Sequence, residues 1–174
     1  MNNSLRSTLL SLALIAALLT SCSEADDVVS GMLFETKPDI VENLNFSVNR
    51  VNAWIWDANS RLYGADVFVF NDNDISINRI SIKIKSVSPT TYLQGFSQDN
   101  RDILNLPPKS SRRSEAHYVQ GSTYVGNFFV FLSSTIPGNT PFTVTFEVTV
   151  FHGSETYNFD IEETFRATSS YSSF

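Results

Sequence analysis

The chain is poor in the residues that build cross-linked or metal-bound frameworks: its 174 residues include one cysteine and two histidines. A single cysteine excludes an internal disulfide, and with two histidines it makes a Cys/His zinc site untenable. Lysine and arginine are also scarce, at 12 against 18 acidic residues, which gives a net charge of −6. Nucleic-acid binding needs a basic face. We therefore expect no cofactor, no metal and no nucleic-acid partner.

Glycine is scarce as well, whereas aromatic residues are abundant: 7 Gly stand against 14 Phe, 6 Tyr and 2 Trp. Hydrophobic residues make up 42% and charged residues 17% of the chain, which excludes a disordered protein. The length suits one domain. The composition thus predicts a single domain with an aromatic-rich core.

Residues 1–21 have the pattern of an export signal. Arg6 is the only charged residue before Glu24, and an apolar run from Leu9 to Leu19 follows it. Eleven residues span about 16 Å as a helix, roughly half of a bilayer core, so the run predicts a signal peptide and not a stable membrane span.

The run ends in Leu19, Thr20, Ser21 and Cys22, which resembles a bacterial lipobox. The resemblance implies cleavage before Cys22, a thioether-linked diacylglycerol on its sulfur and acylation of its amine. Such a lipid anchor would hold the mature protein at the membrane. The alternative is an ordinary secretory signal that happens to contain a cysteine.

Residues 23–27 (SEADD) resemble the surface-export signal of Bacteroidota lipoproteins, and the alternative is a solvated tether. Loss of Arg6 with the signal leaves 11 basic against 18 acidic residues, a net charge of −7. Anionic surfaces would repel that charge, so the lipid must provide the attachment. We expect a lipidated tether over 22–39 and an outer-membrane location, facing the cell surface rather than the periplasm.

Beyond residue 40 the hydrophobic pattern has a period of two, which predicts β-strands. The clearest case is 142–151, where alternate residues are Phe or Val and the rest mostly threonine. Residues 152–154 are predicted to form a turn, and 155–165 return with the same alternation. Further strands are predicted near 44–56, 62–70, 75–87, 115–124 and 127–133, with a polar loop over 97–114. Seven or eight short strands predict an all-β fold, an antiparallel Ig-like β-sandwich over 40–166. The serine-rich residues 167–174 predict a flexible tail.

Trp54 and Trp56 lie two residues apart on a predicted strand, so both indoles share a face. If that face is open, the two rings form a stacking platform for a sugar, with Asp57, Asn59 and Arg61 at its rim. If it is closed, both rings belong to the core, where aromatic residues contribute most by the area they bury.

The only basic cluster comprises Lys109, Arg112 and Arg113, which would suit an acidic protein or an anionic glycan unless it is simply a solvated loop. Asp72 and Asp74 suggest a calcium loop, but the positions that need glycine and glutamate hold isoleucine and lysine. Turn chemistry explains these two aspartates equally well.

No catalytic motif is present: the chain has no G-x-S-x-G, no phosphate-binding loop, no dinucleotide fingerprint and no H-E-x-x-H. His117 and His152 are predicted in a strand and a turn. We therefore expect a protein that is not an enzyme.

Two short strings, 34–38 (FETKP) and 100–107 (NRDILNLP), resemble stretches of the TraQ lipoproteins of Bacteroidota conjugative elements. The chain departs from that pattern by additional residues between 44 and 75 and by the basic loop after Leu106-Pro107, and no functional residue is transferred. Together these features predict an outer-membrane lipoprotein with a non-catalytic binding or structural module. A glycan-binding accessory protein and an accessory of a conjugation or secretion apparatus are the alternatives.

Overall fold

A computed structural model describes residues 38–114, 118–120 and 123–172. The signal peptide, the lipobox with Cys22, most of the tether and His117 lie outside these residues. For 118–120 only the backbone is described.

One helical turn opens the domain, and strands of three to twelve residues make up most of the remainder. Helix α1 is Asp39–Glu42, and a single 3-10 turn spans Thr90–Tyr92. The strands are β1 Leu44–Ile55, β2 Ser60–Asn71, β3 Ile77–Ser88, β4 Leu93–Phe96, β5 Arg101–Leu106, β6 Ser110–Arg113, β7 Tyr118–Gln120, β8 Thr123–Gly126, β9 Phe128–Ser133, β10 Pro141–His152 and β11 Glu155–Arg166.

Two antiparallel sheets form the sandwich. The first has the order β1-β2-β9-β4, and β6 pairs with the end of β2 that β9 leaves free. The second has the order β11-β10-β3-β5. Strands β7 and β8 form a separate hairpin. The predicted antiparallel β-sandwich is therefore confirmed.

The main core lies between the two sheets and is built from alternate residues of the long strands. Phe146 and Val148 of β10 face Phe128 of β9 and the isoleucines of β3, and all are buried. The rings of Phe128 and Phe146 meet edge to face at 5.3 Å. The hairpin β10–β11 has the predicted alternation, and its register runs unbroken from Pro141↔Arg166 to His152↔Glu155.

The region predicted as a polar loop contains structure that the sequence did not reveal. Strands β4, β5 and β6 lie between residues 93 and 113, and each is too short to show a clear alternation. A strand of six residues or fewer has at most three residues on each face, so its sequence shows little alternation. These segments form strands because β4 pairs with β9, β5 with β3 and β6 with β2. The single strand predicted over 115–124 contains parts of β7 and β8.

Residues 167–172, within the segment predicted to be a flexible tail, make contacts with the sandwich. Ala167 is buried and pairs with Thr140, while Ser172 forms a parallel bridge to β1 through hydrogen bonds with Ala53 and Ile55. The Tyr171 and Tyr63 hydroxyls are 2.8 Å apart. The tail is serine-rich but supplies backbone and hydroxyl groups to the edge of β1.

Within the described residues, no helix has the length and apolar character needed to cross a membrane.

Candidate functional site

The two tryptophans share the outer face of the first sheet, and one of them is covered there. Trp54 is only 2% exposed and forms a small second cluster with Leu62 and Val125. Val125 belongs to β8, whose backbone lies directly over Gly64: a Cβ at Gly64 would be 1.7 Å from the Val125 carbonyl oxygen. The platform of two open indoles is therefore not formed, because β8 covers Trp54.

Trp56 remains half-buried and continues into a row of aromatic rings. Its ring lies 5.2 Å from Phe131, which lies 5.3 Å from Phe129, with interplanar angles near 70°. Rings arranged edge to face pack well against one another. They do not present one flat surface for a sugar ring.

The predicted rim residues stabilise the turn between β1 and β2. The Asp57 carboxylate accepts hydrogen bonds from the Asn59 amide at 2.7 Å and from the Ser60 hydroxyl at 3.1 Å. The bond from the Asn59 amide, joined by those from Ser60, holds the pKa of Asp57 below its usual value. The Arg61 guanidinium donates to the Asp57 carbonyl and lies over the Tyr171 ring. The Asp57 carboxylate and the Arg61 guanidinium thus take part in local contacts, and Asn59 contributes its backbone amide.

The three basic residues do not form one patch. Lys109 reaches back to Asp72 and Asp74, with Nζ–Oδ1 distances of 3.0 and 3.3 Å. Arg112 donates to the Leu104 carbonyl oxygen of β5 at 3.0 Å, whereas its neighbour Arg113 donates to the Asp66 carboxylate of β2. Because adjacent strand residues point to opposite faces, the two arginines diverge.

A buried carboxylate that sequence reasoning missed lies where β6 and β9 meet along β2. Asp66 is 5% exposed and accepts hydrogen bonds from the Tyr124 hydroxyl, the Asn127 amide at 3.0 Å and Arg113 at 3.2 Å. We name Asp66, Arg113, Tyr124, Asn127 and Ser114 the Asp66 network, because the Asn127 side chain also donates to the Ser114 carbonyl. An aspartate inside the otherwise apolar run 62–70 was the available signal, since buried charges need partners.

Each side chain of the Asp66 network has a hydrogen-bond partner within the network. Burial, reinforced by the bond to Asp66, raises the pKa of Tyr124 well above its ordinary value. The Arg113 guanidinium lies 5.0 Å from the centre of the Tyr124 ring. We assign the network the role of joining β6, β8 and β9 to β2.

No group of three metal-binding side chains occurs among the described residues. Asp72 and Asp74 share Lys109, so their carboxylates already have a cation. The turn interpretation of these aspartates agrees with this geometry.

One lateral side of the sandwich presents two long edge strands, because β1 and β11 are the outermost strands of their sheets. The two strands are neighbours: the Phe46 and Phe159 rings meet edge to face at 5.5 Å, and Arg50 donates to the Arg166 carbonyl. Both strands are twelve residues long. Unpaired backbone groups of such strands can pair with another chain.

Comparison with protein-family models, with curated proteins and with solved structures found no match.

Proposed function

We propose that the chain is an outer-membrane lipoprotein, anchored through Cys22, whose β-sandwich is a non-catalytic module that binds a partner protein. The observation that carries the binding role is the pair of long edge strands, β1 and β11, on one side of the domain. The lipid would restrict the module to the membrane surface and so raise its effective concentration near membrane-bound partners.

The geometry favours protein binding over glycan capture. The glycan-binding alternative depended on two open indoles, and Trp54 is buried beneath β8. A conjugation or secretion accessory is compatible with the same edge strands, because components of assemblies commonly join through strand addition.

The anchor is tested by cell fractionation of wild type and Cys22→Ala. We expect the wild type in the membrane fraction and the variant in a soluble or mislocalised form, with Ser23→Ala as the matched control that keeps wild-type behaviour. Unchanged membrane partition of Cys22→Ala would contradict the lipoprotein assignment.

The side of the membrane is tested by protease treatment of intact cells followed by blotting for the domain. Loss of the signal supports surface display and a partner outside the cell. Protection until the outer membrane is permeabilised would overturn surface display and direct the search for a partner to the periplasm.

A further inference from the structure

The edge strands of the two sheets differ in how well they are protected against pairing. Strands β4, β5 and β6 have only four to six residues. Strand β1 is long, but its register shifts between Arg50 and Asn52, and Ser172 occupies its edge beside Trp54. Short length, bulges and covering segments are the usual protections of an edge.

Strand β11 has none of these protections among the described residues. It pairs with β10 along all twelve residues without a register shift, and it contains neither proline nor lysine. The topology places no described strand on its other side. A long, regular and uncovered edge is a template for a further strand.

The hairpin register shows which backbone groups face outward. The two-residue turn 153–154 joins His152 and Glu155, and the closing pair of such a hairpin exchanges hydrogen bonds. The same spacing reaches Ala167, whose amide donates to the Thr140 carbonyl at 2.8 Å. Odd-numbered residues of β11 therefore bond to β10, and the even-numbered residues 156–164 direct their N–H and C=O groups to the free edge.

The side chains beside this edge indicate what an added strand would carry. On the inner face, a neighbour would cover the half-buried Glu163 and four half-buried apolar side chains: Tyr157, Phe159, Ile161 and Phe165. The strand also holds four acidic residues against one arginine. Asp160 is paired with Lys85 at 2.5 Å, but the described residues supply no cationic partner to Glu155, Glu162 or Glu163.

We propose that the free edge of β11 binds an extended segment of a partner protein in which apolar residues alternate with lysine or arginine. This inference rests on the proposed binding function and names its site and the chemistry of its partner. A second copy of the chain is disfavoured, since pairing β11 with itself would oppose two acidic strands.

The test uses two labelled ten-residue peptides, one alternating valine with lysine and one alternating valine with glutamate, against the purified mature protein. We expect the lysine peptide to bind and the glutamate peptide not to bind, with affinity falling as salt is added. Equal binding of the two peptides would overturn the proposal.

A pair of variants separates strand pairing from simple charge attraction. Glu162→Thr and Glu162→Pro remove the same charge, but only proline also removes the outward N–H. We expect Glu162→Pro to bind the lysine peptide at least about tenfold more weakly than Glu162→Thr, because hydrogen bonds of the added ladder are lost. Equal affinities of the two variants would show that the peptide does not add as a strand.

Hydrogen exchange on the wild type keeps the proposal testable if the proline variant does not fold. The lysine peptide should slow exchange of the outward amides of residues 158, 160, 162 and 164; protection confined to another strand would overturn the assignment. Sedimentation at increasing concentration tests the second copy: a dimer that Glu162→Pro dissolves would identify self-pairing and overturn the proposal.

The β11 site and the lipid anchor of the proposed function can fail independently of each other. A Cys22→Ala protein that stays in the membrane fraction and still binds the lysine peptide would contradict the anchor and leave the β11 site standing. A wild-type protein that is anchored in the membrane but does not bind the lysine peptide would contradict the β11 site and leave the anchor standing.

Discussion

The C-terminal hairpin and the segment from β4 to β9 are stabilised in different ways. In the hairpin, β10 buries an alternate row of Phe and Val, and every residue from Pro141 to His152 has a partner in β11. Between β4 and β9 the strands are short and the pairing is interrupted at two bulges. There the chain is held to β2 by the Asp66 network and by the close approach of β8 to Gly64.

This difference shows two routes to a defined register. A strand of twelve residues with one buried face cannot slip by one position without exposing its whole apolar row. A strand of four residues loses little by slipping, so specific polar contacts must define its position. Hydrogen bonds to a buried carboxylate do this because an unpaired partner is costly.

The largest expected effect is in the hairpin core. Val148→Asp places an unpaired charge at a fully buried position between Ile82 and Phe159. We expect a loss of about 3–5 kcal/mol, a large share of the roughly 5–15 kcal/mol stability of an ordinary domain. Urea unfolding measures the change. Thr149→Asp, one residue further on the outer face, should lose under about 1 kcal/mol; equal losses would show that the assigned face is wrong.

Breaking the Asp66 network tests the second route. Asp66→Asn keeps the shape but removes the charge that accepts from Tyr124, Asn127 and Arg113, and we expect a loss of about 1–3 kcal/mol in the free energy of unfolding. Asp74→Asn is the control, since its carboxylate is exposed and its ion pair with Lys109 is 3.3 Å long. Similar losses of unfolding free energy in the two variants would show that the Asp66 network does not stabilise this region.

A single methyl group tests the contact between β8 and β2. Gly64→Ala must displace Val125, so we expect a loss of about 1–3 kcal/mol and red-shifted tryptophan emission as Trp54 meets water. Gly95→Ala is the matched control, because a Cβ there would meet nothing within 4 Å. An unshifted emission spectrum in Gly64→Ala would contradict the covering of Trp54 by β8.

The smallest expected effect is at alkaline pH. Burial and the bond to Asp66 raise the pKa of Tyr124 in the folded state. The stabilisation is therefore complete below the unfolded tyrosine pKa of about 10 and declines as the pH rises above it. Tyr124→Phe should flatten part of the decline, as measured by melting temperature against pH. Tyr63, whose pKa is raised by its own burial, and Tyr157, whose pKa is raised by its bond to Glu155, also contribute to the decline. An unchanged slope in Tyr124→Phe would exclude Tyr124.

The parts of the fold that sequence reasoning anticipated share one property: their pattern repeats over many residues. The alternation from Phe142 to Phe151 predicted a buried face, and the spacing of Trp54 and Trp56 placed both rings on one side of a strand. Whether that side was covered depended on Val125, about seventy residues further along the chain. Spacing alone does not contain that contact.

The candidate site shows the same division. Long strands at 44–55 and 155–166 were foreseen within a few residues, but their positions at the sheet edges follow from which strands pair. The contacts of the tail were not predicted, because serine favours exposure on average. At Ser172 the backbone, and not the side chain alone, makes the contact with β1.

The amino-acid sequence by itself carries the pattern that predicts a lipid anchor, and it determined the all-β class and the buried faces of the long strands. Each of these is a property of neighbouring residues. The tertiary structure decided which strand edges are open, which groups donate hydrogen bonds to the buried Asp66 carboxylate, and that β8 covers Trp54. These depend on contacts between residues far apart in the chain, and the free energy of each contact exists only once both partners are in place.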